Sequence, residues 1–232
     1  MIRLFWLIPL VAFSLAPAHE TSHGGIIRSG GWTVYPDREE FWDRVSFQNE
    51  TIQAETDRLI IHKEPELWHT EGNIRFDYQN PQGDGYRGVA DKADYDKLKK
   101  HVSASGLPLD LEIRLSRSTS TIHAQSIQGF LETDTRTLSL RDQVHLRQDF
   151  WETFSEQAYW DPRLKQLRLE KGPPLVWMRS SDYTGVFQAE EVEMRTEAPK
   201  TVTAKGHVTG WIHLYETQSG KNLQKVRQAL GR

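Results

Sequence analysis

The chain has 232 residues, 37% hydrophobic and 26% charged, with a formal net charge of −3; this is globular material, enough for one elongated domain or two small ones. It contains no cysteine, which excludes a disulfide framework and a lipid-bearing cysteine, so the fold must stand on its own core. No phosphate loop, redox pair or nucleic-acid motif is present, and no nucleic-acid partner or cofactor is expected.

Residues 1–18 open with Arg3, continue as an apolar run from Leu4 to Leu15 and end in Ala16-Pro17-Ala18, a small-x-small cleavage pattern. They read as a cleaved export signal. A retained membrane helix needs about 20 apolar residues, and this run is shorter and contains Pro9. Residues 19–30 read as a flexible start of the exported chain. They include His19-Glu20-Thr21-Ser22-His23, the H-E-x-x-H spacing of zinc proteases. That chemistry needs a rigid helix, and here the pentapeptide runs into Gly24-Gly25, so no metal or catalytic site is assigned. One sequon, Asn49-Glu50-Thr51, follows.

From residue 31 to 215 the sequence repeats. A glycine slot recurs at Gly72, Gly106, Asp142, Gly172 and Gly206, with spacings of 34, 36, 30 and 34 residues. A second series of small residues, Ala54, Ala90, Ala124, Ala158 and Ala189, keeps step with it at 36, 34, 34 and 31. The arms between slots alternate with period two, as in Leu107, Leu109, Leu111, Ile113, Leu115, and β-branched and aromatic residues dominate them. Turn-forming stretches such as Asn80–Gly85 and Arg179–Asp182 separate the arms. Periods near 34 also suit helical arrays, but the two-residue alternation decides for strands. Each unit is therefore predicted to be a hairpin whose strands both bend at a small residue, because a bulky side chain there would obstruct the fold-over. Lys92–His101 reads as one or two helical turns, and Gly220–Arg232 as a short helix with Leu223, Val226 and Leu230 on one side.

Several chemistry-bearing groups are set aside. Glu190, Glu191 and Glu193 form the densest acidic cluster, yet nothing supplies the second half of a catalytic site. Trp42, Trp68, Trp151, Trp160, Trp177 and Trp211 are spread among the repeats, which suits core or groove lining better than one sugar-stacking platform. The tail, residues 216–232, carries Lys221, Lys225, Arg227 and Arg232, suited to lipid phosphate or to solvent.

The unit DRVSFQNETIQAETDRLIIHKEPELWHTEGNIRF, with a small residue before charged positions and a Gly-Asn-Ile-Arg-Phe restart, resembles the OstA/LptA family of periplasmic lipopolysaccharide-transport proteins over roughly Gly31 to Leu214. The resemblance implies a non-enzymatic, all-β protein: an elongated open β-jellyroll of about five bent hairpin repeats, in the periplasm, whose interior accepts lipid A acyl chains of lipopolysaccharide. It implies partners among other lipopolysaccharide-transport proteins, joined through strand edges, and a head-to-tail homo-oligomer. The expected edges are Trp32–Tyr35 and Val208–Leu214. Two strands per repeat at about 4.8 Å make a rod of roughly 50 Å. A membrane-tethered, LptC-like member and a carbohydrate-binding or structural envelope protein are the alternatives.

Inward positions of the alternating series are Val45, Phe47, Leu59, Ile61, Ile74, Phe76, Leu109, Leu111, Ile113, Val144, Leu146, Leu167, Leu169, Val208 and Ile212. On the resemblance these line a lipid groove. Alternation alone leaves open whether they face lipid or fill each other's space.

Overall fold

The computed structural model describes residues 18–20, 25–81, 83–115, 120–196 and 200–215. Residues 1–17 (all but Ala18 of the expected export signal), most of the H-E-x-x-H stretch and the tail 216–232 lie outside the described residues. The described chain is all β. Its strands are β1 (Ala18–Glu20), β2 (Ile26–Arg28), β3 (Gly31–Val34), β4 (Arg38–Gln48), β5 (Ile52–His62), β6 (Leu67–Gln79), β7 (Gly85–Asp96), β8 (His101–Arg114) and β9 (Ile122–Glu132). They continue as β10 (Leu138–Gln148), β11 (Trp151–Asp161), β12 (Gln166–Glu170), β13 (Leu175–Arg179), β14 (Tyr183–Gln188), β15 (Glu191–Arg195), β16 (Thr201–Lys205) and β17 (Thr209–Leu214).

All pairings are antiparallel and join the strands into one unclosed sheet. The long strands bend near their middles, where each register shifts: Trp42/Val45 on β4, Glu71/Ile74 on β6, Ser105/Leu109 on β8 and Arg141/Val144 on β10. Further along, the corner interrupts the strand altogether, so β12 with β13, β14 with β15 and β16 with β17 are the two arms of single bent ribbons. The corners divide the sheet into two facing wings. Wing A comprises residues 31–42, 58–71, 92–105, 128–141, 157–170, 191–195 and 201–205, and wing B 26–28, 45–56, 74–79, 85–90, 109–114, 122–126, 144–155, 175–188 and 209–214.

The predicted glycine slots all fall at corners. Backbone with positive φ turns the chain at Gly72 (+81°) with Asn73, at Asp142 with Gln143, at Lys171 with Gly172, and at Gly206 (+82°). Gly206 is therefore a corner between β16 and β17. An earlier corner at Asp43 and Arg44, also with positive φ, carries no glycine.

The second series corrects the expectation. Only Ala90 and Ala189 adjoin their corners, whereas Ala54, Ala124 and Ala158 sit in regular pairing opposite Phe76, Leu111 and Leu169. At three of the corners that series aimed for, the residue just before the turn is Thr56, Ser126 or Ser155, and Ser29 does the same work between β2 and β3; all four are buried. Each hydroxyl donates to the carbonyl two residues on: Ser29 to Gly31 (2.9 Å), Thr56 to Arg58 (3.2 Å), Ser126 to Gln128 (3.0 Å) and Ser155 to Gln157 (3.1 Å). A bulge frees backbone groups that would otherwise be buried without partners, and the hydroxyls supply them.

Gly72 tests the corner rule. A Cβ there would lie 2.5 Å from Asp57 Oδ2, which already accepts a 2.7 Å bond from Asn73 Nδ2. Gly72→Ala should cost about 1–3 kcal/mol from the left-handed backbone and the clash together, read as a lower denaturant midpoint at unchanged m-value.

Two further expectations are corrected. The start of the chain is not wholly irregular: β2 pairs with β4, and Ile27 is fully buried. His19 and Glu20 lie in β1, paired with β2, so the helical spacing that zinc-protease chemistry requires is not met. Lys92–Asp96 continues β7 between β6 and β8, and Lys97–Lys100 is a tight turn closed by Lys100 N–H on the Lys97 carbonyl (3.3 Å). Pairing on both sides overrides the helical propensity of the lysines and leucine.

Candidate functional site

Inward residues of the two wings meet different fates along the sheet. From β10 to β15 they mostly pack solid: Leu138, Leu140, Val144, Leu146, Trp151, Trp160, Leu167, Leu169, Val176, Val192 and Met194 are all buried in one cluster, with Met178 and Phe187 half-buried against it. A smaller cluster of Ile27, Phe41, Val45, Leu59, Ile61 and Trp68 closes the other end. Between them lies a cavity of about 690 Å³ lined by β4 to β10, within the size range of ligand sites.

The hollow has a cause in the sequence. Across wing A the register brings Leu59, Thr70, Ala93, Ala104, Gly129 and Leu140 into one inward row. Three successive strands thus contribute Thr70, Ala93 and Ala104, leaving open the space that leucine or tryptophan fills farther along, while Gly129 beside them admits Leu109 of the other wing, whose Cδ2 lies 2.7 Å from where a Cβ would stand. Trp68, Tyr95, Val102 and Leu131 form the next row out and rim the cavity. Wing B faces it with Phe47, Ala54, Ile74, Phe76, Tyr78, Leu109 and Leu111. Phe76, Tyr78, Ala93, Val102, Ala104 and Leu131 point inward yet remain half-exposed.

Three contacts tie wing A to wing B toward the filled half. Tyr86 Oη donates to the Arg136 carbonyl (2.9 Å), Lys165 Nζ approaches Asp84 Oδ2 (3.4 Å), and Lys200 Nζ lies 4.2 Å from the Phe150 ring centroid. Burial pushes the Tyr86 phenol well above its ordinary pKa, with the neighbouring Tyr78 adding to the effect. The folded state therefore holds Tyr86 neutral. Its contribution is complete below the unfolded-state pKa of about 10 and is lost as pH rises through and beyond it, at about 1.4 kcal/mol per pH unit. Urea midpoints from pH 9 to 11 should fall more steeply for the wild type than for Tyr86→Phe.

Of the expected groove residues, Val45, Leu59, Ile74, Leu109 and Leu111 are buried in the cavity wall, with Phe47 and Phe76 half-buried beside them. Ile61 belongs to the small end cluster, and Ile113, Val144, Leu146, Leu167 and Leu169 to the filled half. Val208 and Ile212 are not inside: they are 50% and 54% exposed. Ile212 has the inward register, opposite Gly185, but among the described residues β17 ends its wing and pairs with β14 alone. Val208 sits in the Gly206 corner, before β17 begins.

Sequence reasoning missed Thr70, Ala93 and Ala104, whose smallness makes the space, and Gly129, which lets Leu109 pack against its backbone. The signal was there, as small residues at inward parity on adjacent strands. The tryptophans also divide: Trp68 lines the cavity and Trp151 and Trp160 the core, whereas Trp42, Trp177 and Trp211 are exposed.

The outer face of the same strands is polar. Gln53, Arg75, Asp77, Arg87, Asp110 and Glu112 line a shallow depression there, with Asp77 accepting from Arg87 (2.7 Å) and from Arg114. The acidic cluster is spoken for: Lys205 Nζ bridges Glu191 (2.9 Å) and Glu193 (2.8 Å), and His207 pairs with Glu190 (2.8 Å). Groups of three or more His, Asp or Glu placed to hold a metal do not occur among the described residues.

No family model matches the sequence, and no curated protein matches it. Among solved structures the chain is similar to the crystal structure of LptH, the LptA-homologous periplasmic component of the lipopolysaccharide transport device from Pseudomonas aeruginosa. The two share 9% identity at a TM-score of 0.35, over 82% of this chain and 94% of that one. At that distance the likeness carries no argument, and the functional reading rests on the cavity.

Proposed function

We propose that the chain is a non-enzymatic carrier that shields lipid acyl chains inside the hollow between its wings, and that its cargo is lipopolysaccharide passed across the periplasm. The observation that carries the reading is the half-exposed apolar lining: side chains with the parity of a core that pack against it on one side and face open space on the other. Each methylene buried there is worth about 0.8 kcal/mol, so a chain of a dozen carbons contributes up to roughly 10 kcal/mol before ordering costs are subtracted. Carrying needs a trough and no reacting group.

The ends of the sheet suit a bridge. At one end β3 pairs with β4 alone, and at the other β16 and β17 pair with β15 and β14 alone, among the described residues. Such edges accept another strand by β-augmentation, from another lipopolysaccharide-transport protein or from a second copy stacked head to tail. An export signal in residues 1–18 and a basic tail in 216–232 complete the proposed organisation.

Purification of the full chain from envelope fractions, with mass spectrometry of bound lipid and neighbouring proteins, tests the reading. Co-purifying lipopolysaccharide is expected. A lipid-free chain that instead binds a glycan array would favour the carbohydrate alternative.

A further inference from the structure

The outer face of wing B changes character along the sheet. Over β5 to β9 it presents Gln53, Asp77, Arg87, Glu112 and His123 in one row. The same row continues through Arg147 and Glu152 into Trp177, Val186 and Trp211. Beside it, Phe154 lies opposite Leu175. Trp177 is 49% and Trp211 55% exposed, with Phe154 and Leu175 exposed next to them. These side chains point away from the cavity, so carrying cargo does not explain them, and a contiguous exposed apolar patch marks a surface that meets something.

What it meets follows from the chemistry at its border. Arg179, two residues after Trp177, and His213, two residues after Trp211, share the patch's face, and exposed Arg147 lies one strand beyond Glu152. Of the carboxylates nearby, Glu152 is taken up by His145 at 2.6 Å, Glu156 is exposed two residues beyond Phe154, and Asp149 and Asp182 lie in the turns beside Arg147 and Arg179. Trp177 keeps its indole N–H toward the surface, 3.4 Å from Thr184 Oγ1. Indole rings beside the exposed Arg147 and Arg179 match the headgroup layer of an anionic bilayer, where tryptophan places its apolar body among the acyl chains and its N–H in the wet layer.

We propose that the outer face of β11, β13, β14 and β17 docks on an anionic lipid surface. The inference goes beyond the carrier reading and does not depend on it, since the patch and the cavity lie on opposite faces of the wing.

The test is sedimentation of the full chain with phosphatidylcholine vesicles, with and without phosphatidylglycerol. The expected result is binding that requires phosphatidylglycerol, weakens with salt, falls at least tenfold in Trp177→Ser/Trp211→Ser and several-fold in Arg179→Gln, and survives Ala104→Trp, which blocks the cavity alone. Circular dichroism and urea midpoints establish that the variants remain folded. Absence of binding, or binding indifferent to the tryptophans, overturns the proposal. Loss of binding in Ala104→Trp would assign the vesicle effect to uptake by the cavity and overturn it also. Self-association without vesicles that disappears in the double variant would give the patch to a second copy instead.

Discussion

Replacing Ala104 by tryptophan is expected to lower lipid affinity about a hundredfold while leaving the unliganded protein at least as stable as the wild type. Ala104 stands between Ala93 and Gly129 in the row of small residues that opens the hollow. An indole there displaces about four methylenes of cargo, worth about 3 kcal/mol or two decades of affinity. In a solid core such an insertion would strain the packing and cost about 1–3 kcal/mol. Here the surrounding space accepts it, and the newly buried ring offsets the substitution. Opposite signs for binding and stability are the signature of a cavity kept for a ligand, measured by lipid titration and urea unfolding on the same preparation. A drop in stability of several kcal/mol would mean that the space closes on itself in solution.

Trp160→Ala should have the opposite profile, with a loss of about 3–5 kcal/mol in unfolding free energy and little direct effect on lipid contact. Trp160 is buried between Leu138 and Leu167 in the filled half, where a large deletion leaves a void that close-packed neighbours cannot fill. Phe76→Ala, in the cavity wall, should cost clearly less, because that ring is already half-exposed. Equal costs at the two positions would erase the distinction between a filled and a hollow half.

The bent-hairpin architecture was legible because glycine is the residue a left-handed corner selects, and Gly72, Gly172 and Gly206 announce three corners directly. The Asp43–Arg44 corner was not legible, since two non-glycine residues hold positive φ there under the restraint of pairing on both sides. The second corner series was half-read. Alanine was followed where the chain uses either alanine or a buried Ser or Thr, and the hydroxyl at Thr56, Ser126 and Ser155 serves a carbonyl that no one-dimensional pattern reveals.

For the site, alternation set parity but not occupancy. Leu111 and Leu146 share an inward row, each opposite Ala124, yet only Leu111 borders the hollow. What separates them is the volume contributed by the facing wing, a property of several strands at once. Ile212 shows the same limit at the end of the sheet: among the described residues no strand pairs beyond β17, and correct parity alone leaves Ile212 exposed.

The central claim is that acyl chain occupies the hollow between the wings and not the packed half beyond it. Photo-crosslinking residues placed one at a time at Phe76 and Val102, and for comparison at Leu146 and Leu169, test it in cells. The account predicts lipid adducts at the first two positions and none at the second two. Silence at both cavity positions, or adducts of equal yield at all four, would contradict it.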